Sequence, residues 1–496
     1  LPAGALSFWA GDAKDETMIK EEYRRLRVGL VGLGLEAYWP QFDGLEVRLA
    51  SYVQAVAETI AAPERVILNL GLVDSYTAGV EAGHRCRMED IDLLLVYATT
   101  YALSSTVLPI ITRAKVPVIL LNLQPEAAIE YRQFNSMKSR TAMTGEWLAY
   151  CSSCPIPEIA NVLARLGIHF HQITGMLRGD EKVQQELDLW LQAAGVAKSL
   201  AHSRLGLLGH YYGGMLDIAT DLVQVSGRFG IHIEQLEVEE LAQRRRDASD
   251  ADIQTKTLEI EKFFEVESGC SEDELLRAAQ TAVALDALVS GNGLDMMAYY
   301  HKGVGIAENE NVMSSIIVGT SMLTAAGVPV AGEYEIKNVI AMKILDLLGA
   351  GGSFTEFYAM DFDADVILMG HDGPGHIGIA AERIKLCPLQ VYHGKVGSGL
   401  SVEMSVKHGP VTLLSVVESS TTGFMLLTAE GVSVPGEVLE IGNTNSRYRF
   451  PLGARSFVES WNSHGPAHHC AIGLGHLGGV LQKVATLLNL EFHKVC

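Results

Sequence analysis

The sequence predicts an α/β protein in which two Rossmann-like parallel-sheet domains precede a mostly β, barrel-like C-terminal domain. Three observations carry this. First, from residue 27 short apolar runs alternate with helical segments, the pattern of strands buried on both faces of a parallel sheet. Second, the alternation resumes after residue 177 with another helix, strand and helix. Third, beyond about residue 330 the chain turns into short β-rich runs punctuated by Gly, Pro and Asn, the signature of an antiparallel sheet or barrel. The 496 residues accommodate this division at about 100–200 residues per domain. The boundaries read as an N-terminal extension over 1–26, an N-terminal α/β domain over 27–176, a central α/β domain over 177–330 and a C-terminal β-rich catalytic domain over 331–496.

In chain order, LPAGALSFWAG at the start lacks the basic region and long apolar run of a signal peptide. RVGLVGL (27–33), RVILNLGLV (65–73), DLLLVYA (92–98) and VPVILLNLQ (116–124) are predicted strands, and FDGLEVRLASYVQAVAETIA (42–61) has helical periodicity. DEKVQQELDLWLQAAGVAKSL (180–200) is a predicted amphipathic helix, followed by strand RLGLLG and loop HYYGGML, and LLRAAQTAVALDALVS (275–290) is a further helix. The charged run EELAQRRRDASDADIQ mixes both signs and reads as a solvated surface. VTLLSVVES, GFMLLTAEG, SVPGEVLEIGN and YRFPLG supply the β-rich end.

Two glycine motifs invite a nucleotide-binding reading and fail it. GLGLEA (32–37) follows a strand, but Pro40 delays the helix whose N–H groups would meet a pyrophosphate, and the acid at the end of the second strand, Asp74, lies too far on. GLGHLG (473–478) has too little chain after it for a βαβ unit.

Composition narrows the partners. A formal net charge of −21 disfavours nucleic acid. No apolar stretch resembles a membrane span of ~20 residues. Seven scattered cysteines with no repeating disulfide spacing point to a reducing, cytoplasmic setting. Cys151 and Cys154 form a lone CSSC, read as two buried or half-exposed thiols, with a redox pair as the alternative.

The last third gathers acids and histidines. GEYEIKNVIAMKIL carries Glu333 and Glu335 at a helix start, SFTEFYAMDF carries Glu356 between aromatics, VILMGHDGPGHIG carries His371 and His376, and GPAHH carries His468 and His469. Each has a plain alternative. Glu333 fits a dipole-favoured surface acid, His371 a histidine bonded to a carbonyl, and His468 and His469 a polar turn. Glu356 is harder to dismiss, because a carboxylate in an apolar strand needs a partner. Two carboxylates with two imidazoles suit Mn²⁺, Co²⁺, Fe²⁺ or Zn²⁺, and ligands so far apart in sequence must be gathered by the fold.

Taken in order, GEYEIK, SFTEFY, LMGH and GPAHH resemble the GEGDWK, SFMEDY, LGAH and GGAHHT motifs of the L-arabinose isomerase family. The resemblance implies a metal-dependent aldose–ketose isomerase acting on L-arabinose or a related aldose by enediolate proton transfer. Glu333 and Glu356 become the acid/base pair, and Glu333, Glu356, His371 and His469 the ligands of Mn²⁺ or another divalent cation such as Co²⁺. Fainter matches place Tyr38, Gln124 and Met215 at the substrate. The family also implies a cytoplasmic homo-oligomer, a trimer or hexamer, taking a small sugar and neither nucleic acid nor membrane. Departures at GLGLEAYW, ATTYALS and MMAYYHKG, where the family has GSQHLYG, THTFSP and FTTTFED, leave the aldose open. The rival reading is a catalytically inactive sugar-binding or regulatory relative.

Overall fold

The computed structural model describes residues 25–389, 397–420 and 423–496. The predicted N-terminal extension therefore lies outside the described residues except for its last two. The chain separates into two compact units, Leu1–Lys198 and Ser199–Cys496. The second parallel sheet and the barrel share the second unit.

In the first unit β1 (Leu26–Leu33), β2 (Arg65–Val73), β3 (Leu93–Ala98), β4 (Val118–Gln124) and β5 (His171–Met176) form one sheet in the order β2-β1-β3-β4-β5. All its pairings are parallel. Every residue of β3 is buried, as a central strand covered on both faces requires. The crossovers include α1 (Leu45–Ile60), α2 (Tyr76–Met88), α3 (Ser104–Ala114), α4 (Arg140–Leu148) and α5 (Ile156–Arg165). No helix opens at GLGLEA: β1 runs into a single 3₁₀ turn, Glu36–Tyr38, and α1 begins only at Leu45. The turn between α4 and α5 corrects the reading of CSSC as two thiols. Cys151 and Cys154 are joined in a disulfide, because that turn brings their Cα atoms to 5.6 Å, within bridging distance.

In the second unit β6 (Arg204–Gly209), β7 (His232–Leu236), β9 (Met296–Tyr300) and β10 (Val330–Ala331) form a second parallel sheet, β10-β9-β6-β7. The helix α6 (Glu272–Asn292) precedes β9. A small sheet joins β8 (Phe264–Val266), β13 (Ile384–Leu389) and β14 (Gly399–Glu403).

The barrel is made by β11 (Gly351–Asp361), β12 (Val366–His371), β15 (Gly409–Ser419), β16 (Gly423–Val434), β17 (Thr444–Arg449) and β18 (His469–Leu474). They pair in the order β15-β18-β11-β12-β17-β16, and β15 pairs again with β16, so the ring closes. Closure removes free edges, the exposure that makes open sheets prone to association. A last strand, β19 (Glu491–Lys494), adds in parallel to β16. The stretch 435–443, predicted β-rich, is irregular: Pro435 has no N–H for a ladder, and Gly436 takes φ +143°.

Among the described residues no helix is long and apolar enough to cross a membrane. Buried Leu413, Leu427, Tyr448 and Ile472 belong to a core that extends to Phe450, Phe457 and Trp461, where Phe450 stacks on Phe457 at 3.8 Å. The helix α7 (Ile336–Leu347) is buried from Ile336 through Leu345. Its buried polar residues are bonded, Lys337 and Lys343 to backbone carbonyls, and it packs against β11, β15 and β18.

Candidate metal centre

Strand register puts three of the side chains at one end of the barrel. Glu356 on β11 is paired on one side with His469, the first residue of β18, and on the other with Gly370 of β12. His371, the last residue of β12, follows Gly370. Residues directly opposite in an antiparallel pair present side chains on the same face, so Glu356 and His469 are neighbours by register. Gly370 makes the arrangement feasible, since a Cβ there would lie 2.0 Å from the carbonyl oxygen of Thr444 on β17.

Glu333 comes from the turn between β10 and α7. Glu333 and Tyr334 both adopt left-handed backbone, with φ of 57° and 65°. Two such residues in succession cost about 1–2 kcal/mol each relative to the right-handed region, strain of the kind concentrated at functional sites. The turn is held by the Tyr334 N–H donating to the carbonyl of Tyr299 at the end of β9 (3.0 Å). Its place beyond the carboxyl ends of β9 and β10 is where open parallel sheets bind ligands.

The four side chains meet around His469. Its Nε2 lies 3.2 Å from His371 Nε2 and 3.3 Å from Glu333 Oε2. Ligating atoms of Glu356, His371 and His469 lie within 4.8 Å of one another, as do those of Glu333, His468 and His469. The donors thus form two triads sharing one imidazole. Both His371 and His469 are buried, and the ring of Phe354 lies against each, at 4.3 and 4.5 Å.

The surroundings set the charges. Burial holds the Glu356 carboxyl above its ordinary range, against the pull of His469 and His468. His468 is the opposite case. Glu333, aided by Asp217 and against the effect of burial, raises its imidazole to about 9. Asp217 Oδ2 lies 2.6 Å from His468 Nδ1 and accepts the His468 backbone N–H at 3.0 Å.

The donor set fits a divalent cation. Two carboxylates supply the balancing charge, and two buried imidazole nitrogens facing each other at 3.2 Å need either a shared proton or a cation between them. Ligation through His371 Nε2 requires the proton on Nδ1. That atom now accepts the Gly373 N–H at 2.9 Å, and Asp372 Oδ1, 3.5 Å away, is the acceptor for the other tautomer. Glu335 stands behind His469. It is fully buried, its Oε2 is 3.7 Å from His469 Nδ1, and its oxygens have no hydrogen-bond donor among the described residues. A carboxylate behind an imidazole orients it and raises its basicity toward a metal.

No family model matches the chain. It is 23% identical over 359 residues to an L-arabinose isomerase of Nocardioides sp., a similarity that covers 67% of this chain and 68% of that protein. The similarity suggests a relationship with that family.

The remaining sequence-predicted residues are not members of the two triads. Met215 is half-buried in the loop after β6, two residues before Asp217, and Lys337 Nζ ties that loop to α7 through the carbonyls of Asp217 and Ala219 at 2.7 and 3.1 Å. Gln124 and Tyr38 belong to the first unit. Gln124 ends β4, and its amide donates to the carbonyls of Glu126 and Ala127. Tyr38 meets Phe42 edge-on at 5.8 Å. His376 is buried outside both triads, His464 lies against His493, and His476 Nε2 is 3.0 Å from the Gly431 carbonyl.

Sequence reasoning passed over Asp217, Asp372 and the position of Glu335 behind His469. The signals were adjacency alone: Asp372 follows His371, and Asp217 follows Met215 by two. Beside Glu333, His371 and Asp372 opens a cleft whose other walls include Tyr299, His301 and Lys302.

Proposed function

We propose that this protein is a divalent-metal-dependent aldose–ketose isomerase that acts on a free sugar, L-arabinose or a related aldose. The observation that carries the reading is the gathering of Glu333, Glu356 and His371, from three separate segments, around the buried imidazole of His469 that the two triads share. The similarity to an L-arabinose isomerase supports it. The neighbouring cleft offers polar side chains, Lys302, Glu310 and Ser314 among them, able to hydrogen-bond sugar hydroxyls.

The hard step is removal of a proton from the carbon beside a carbonyl. A cation such as Mn²⁺ held by these four residues supplies Lewis-acid stabilisation of the enediolate charge. The chain supplies the proton transfers. Glu356 and Glu333 sit in unlike surroundings, one raised by burial and the other beside a His468 that stays cationic through neutral pH. Such unlike pairs divide acid from base. One takes the proton from C2 and returns it to C1 while the other exchanges the hydroxyl proton. Phe354 excludes water from the face it covers. Asp217 holds His468, and Glu335 and Asp372 orient the two ligand imidazoles.

The test is a screen of aldopentoses and aldohexoses with added Mn²⁺, read by ketose formation, on the wild type, Glu333→Gln and Glu356→Gln. The wild type should convert at least one sugar, and each variant should lose turnover with its circular dichroism unchanged. Retained turnover in both variants would reject the roles. A wild type that binds sugar without converting any would favour the non-catalytic relative.

A further inference from the structure

The disulfide between Cys151 and Cys154 is absent from the chemistry proposed above, and its surroundings do not suit a structural staple. It closes a ring of four residues, and a short ring restricts the unfolded chain far less than a long one. Its two ends are unlike: Cys151 is buried, at 3% exposure, whereas Cys154 is exposed. The bond links the end of α4 to the start of α5, with Pro155 leading into the helix.

That joint is wired to the loop after β3. In the first turn of α5, Glu158 Oε1 accepts the Ser104 N–H at 2.8 Å and Oε2 accepts the Tyr101 hydroxyl at 3.0 Å. These bonds hold the Glu158 carboxyl below its ordinary range against the effect of burial. Ser153, inside the ring, donates from Oγ to Asn122 Oδ1 of β4 at 3.0 Å. One short covalent ring therefore sits beside contacts to the loop after β3 and to β4 near its carboxyl end, where the loops of a parallel sheet meet ligands.

We propose that Cys151–Cys154 is a thiol–disulfide exchange centre for a dithiol reductant, and that its state sets how firmly α5 grips the 101–104 loop. The thiolate of the reductant attacks the exposed Sγ of Cys154. The S–S bond breaks, and its electron pair leaves on Cys151 Sγ, which takes a proton from solvent. The second thiol of the reductant, on losing its proton, attacks the reductant's own sulfur in the mixed disulfide. This closes a cyclic disulfide and expels Cys154 as a thiolate that is then protonated. The protein gains two electrons and two protons, and the dithiol loses the same. Reduction frees residues 151–154 and loosens the hold of Glu158 on Ser104 and Tyr101. The proposal stands apart from the isomerase reading, because its readouts require no turnover.

The test uses the folded 496-residue chain in buffers of graded reduced-to-oxidised dithiothreitol ratio. Thiols are quenched, alkylated and located by mass spectrometry, and backbone amide exchange is measured on the same samples. Two labels should appear together at Cys151 and Cys154 without denaturant and disappear on reoxidation, and the Ser104 amide should exchange at least ~5-fold faster in the reduced form. A pair that labels only after global unfolding, or a Ser104 amide equally protected in both forms, would overturn the proposal. Exposed with oxidised glutathione, Cys151→Ser should hold an adduct at Cys154 at least ~10-fold more than Cys154→Ser holds one at Cys151, because access governs exchange. Equal adducts would overturn the assigned direction of attack. Should either variant fail to fold, the wild-type titration decides alone.

Discussion

Glu335→Gln separates the orienting role of this buried carboxylate from a merely structural one. Glu335 is fully buried and its Oε1 lies 3.9 Å from Lys337 Nζ, itself buried. At an effective dielectric of about 20, opposite charges at 3.9 Å attract by roughly 4 kcal/mol. Removing one partner of a buried pair costs about 3–5 kcal/mol, because the other charge is left uncompensated. Lys337 keeps its two carbonyl acceptors at 2.7 and 3.1 Å, which places the expected loss near the lower end, about 3 kcal/mol. The assay is urea denaturation at neutral pH with the slope checked for constancy. Adding Lys337→Met to Glu335→Gln should recover about 2 kcal/mol of that loss, since the isolated ammonium is then gone. The orienting role has its own readout. With the carboxylate behind His469 neutralised, Mn²⁺ affinity should fall by about 10–100-fold. A variant within 0.5 kcal/mol of wild type, or a double variant no more stable than the single one, would refute the electrostatic reasoning. Unchanged affinity would refute the orienting role.

Three further outcomes follow from the same geometry. Asp372→Asn removes the carboxylate acceptor for a proton on His371 Nδ1 and should weaken Mn²⁺ binding by about 10–100-fold in calorimetric titration; unaltered affinity would mean that His371 needs no such partner. Gly370→Ala forces a methyl group to within 2.0 Å of the Thr444 carbonyl, so β12 and β17 must part, at a cost of about 3 kcal/mol in a urea melt, and a loss under 0.5 kcal/mol would contradict the packing. Glu430 works on acid stability. Its carboxyl is held below its ordinary range, burial opposing but outweighed by Lys494 and by the Gly478 N–H. A depressed carboxyl contributes stability above its unfolded value that is lost as pH falls through the folded one. Relative to Glu430→Gln, the wild type should therefore lose stability as pH drops below about 4.5; parallel stability curves for the two proteins would contradict this.

How much of this was legible in the sequence depended on whether local pattern or strand register decided it. Apolar runs such as DLLLVYA and VPVILLNLQ announced the first parallel sheet because a central strand is apolar on both faces, a property each strand carries alone. The Gly- and Pro-broken C-terminal third announced antiparallel strands, but the pairing of β18 with β11 and β15 joins strands far apart in the chain, which composition does not encode. Glu356 stood out because a carboxylate amid Phe354, Phe357 and Tyr358 demands a partner, yet only register revealed that His469 lies opposite it. The left-handed pair Glu333 and Tyr334 was invisible, since neither residue type favours that conformation and the surrounding fold imposes it. Asp217 reaches His468 across 251 positions of chain, a separation at which sequence proximity says nothing. The Cys151–Cys154 bond depended on the turn between α4 and α5, which spacing alone leaves undetermined.

The central claim is that His371, His469, Glu333 and Glu356 hold one divalent cation. Its most direct test is electron paramagnetic resonance of Mn²⁺ added to the 496-residue chain, compared with His469→Gln. The wild type should remove about one equivalent of Mn²⁺ per chain from the free-ion signal, and the variant, lacking the imidazole common to both triads, should remove none at the same concentration. Equal uptake by the two proteins, or no stoichiometric uptake by the wild type, would contradict the account.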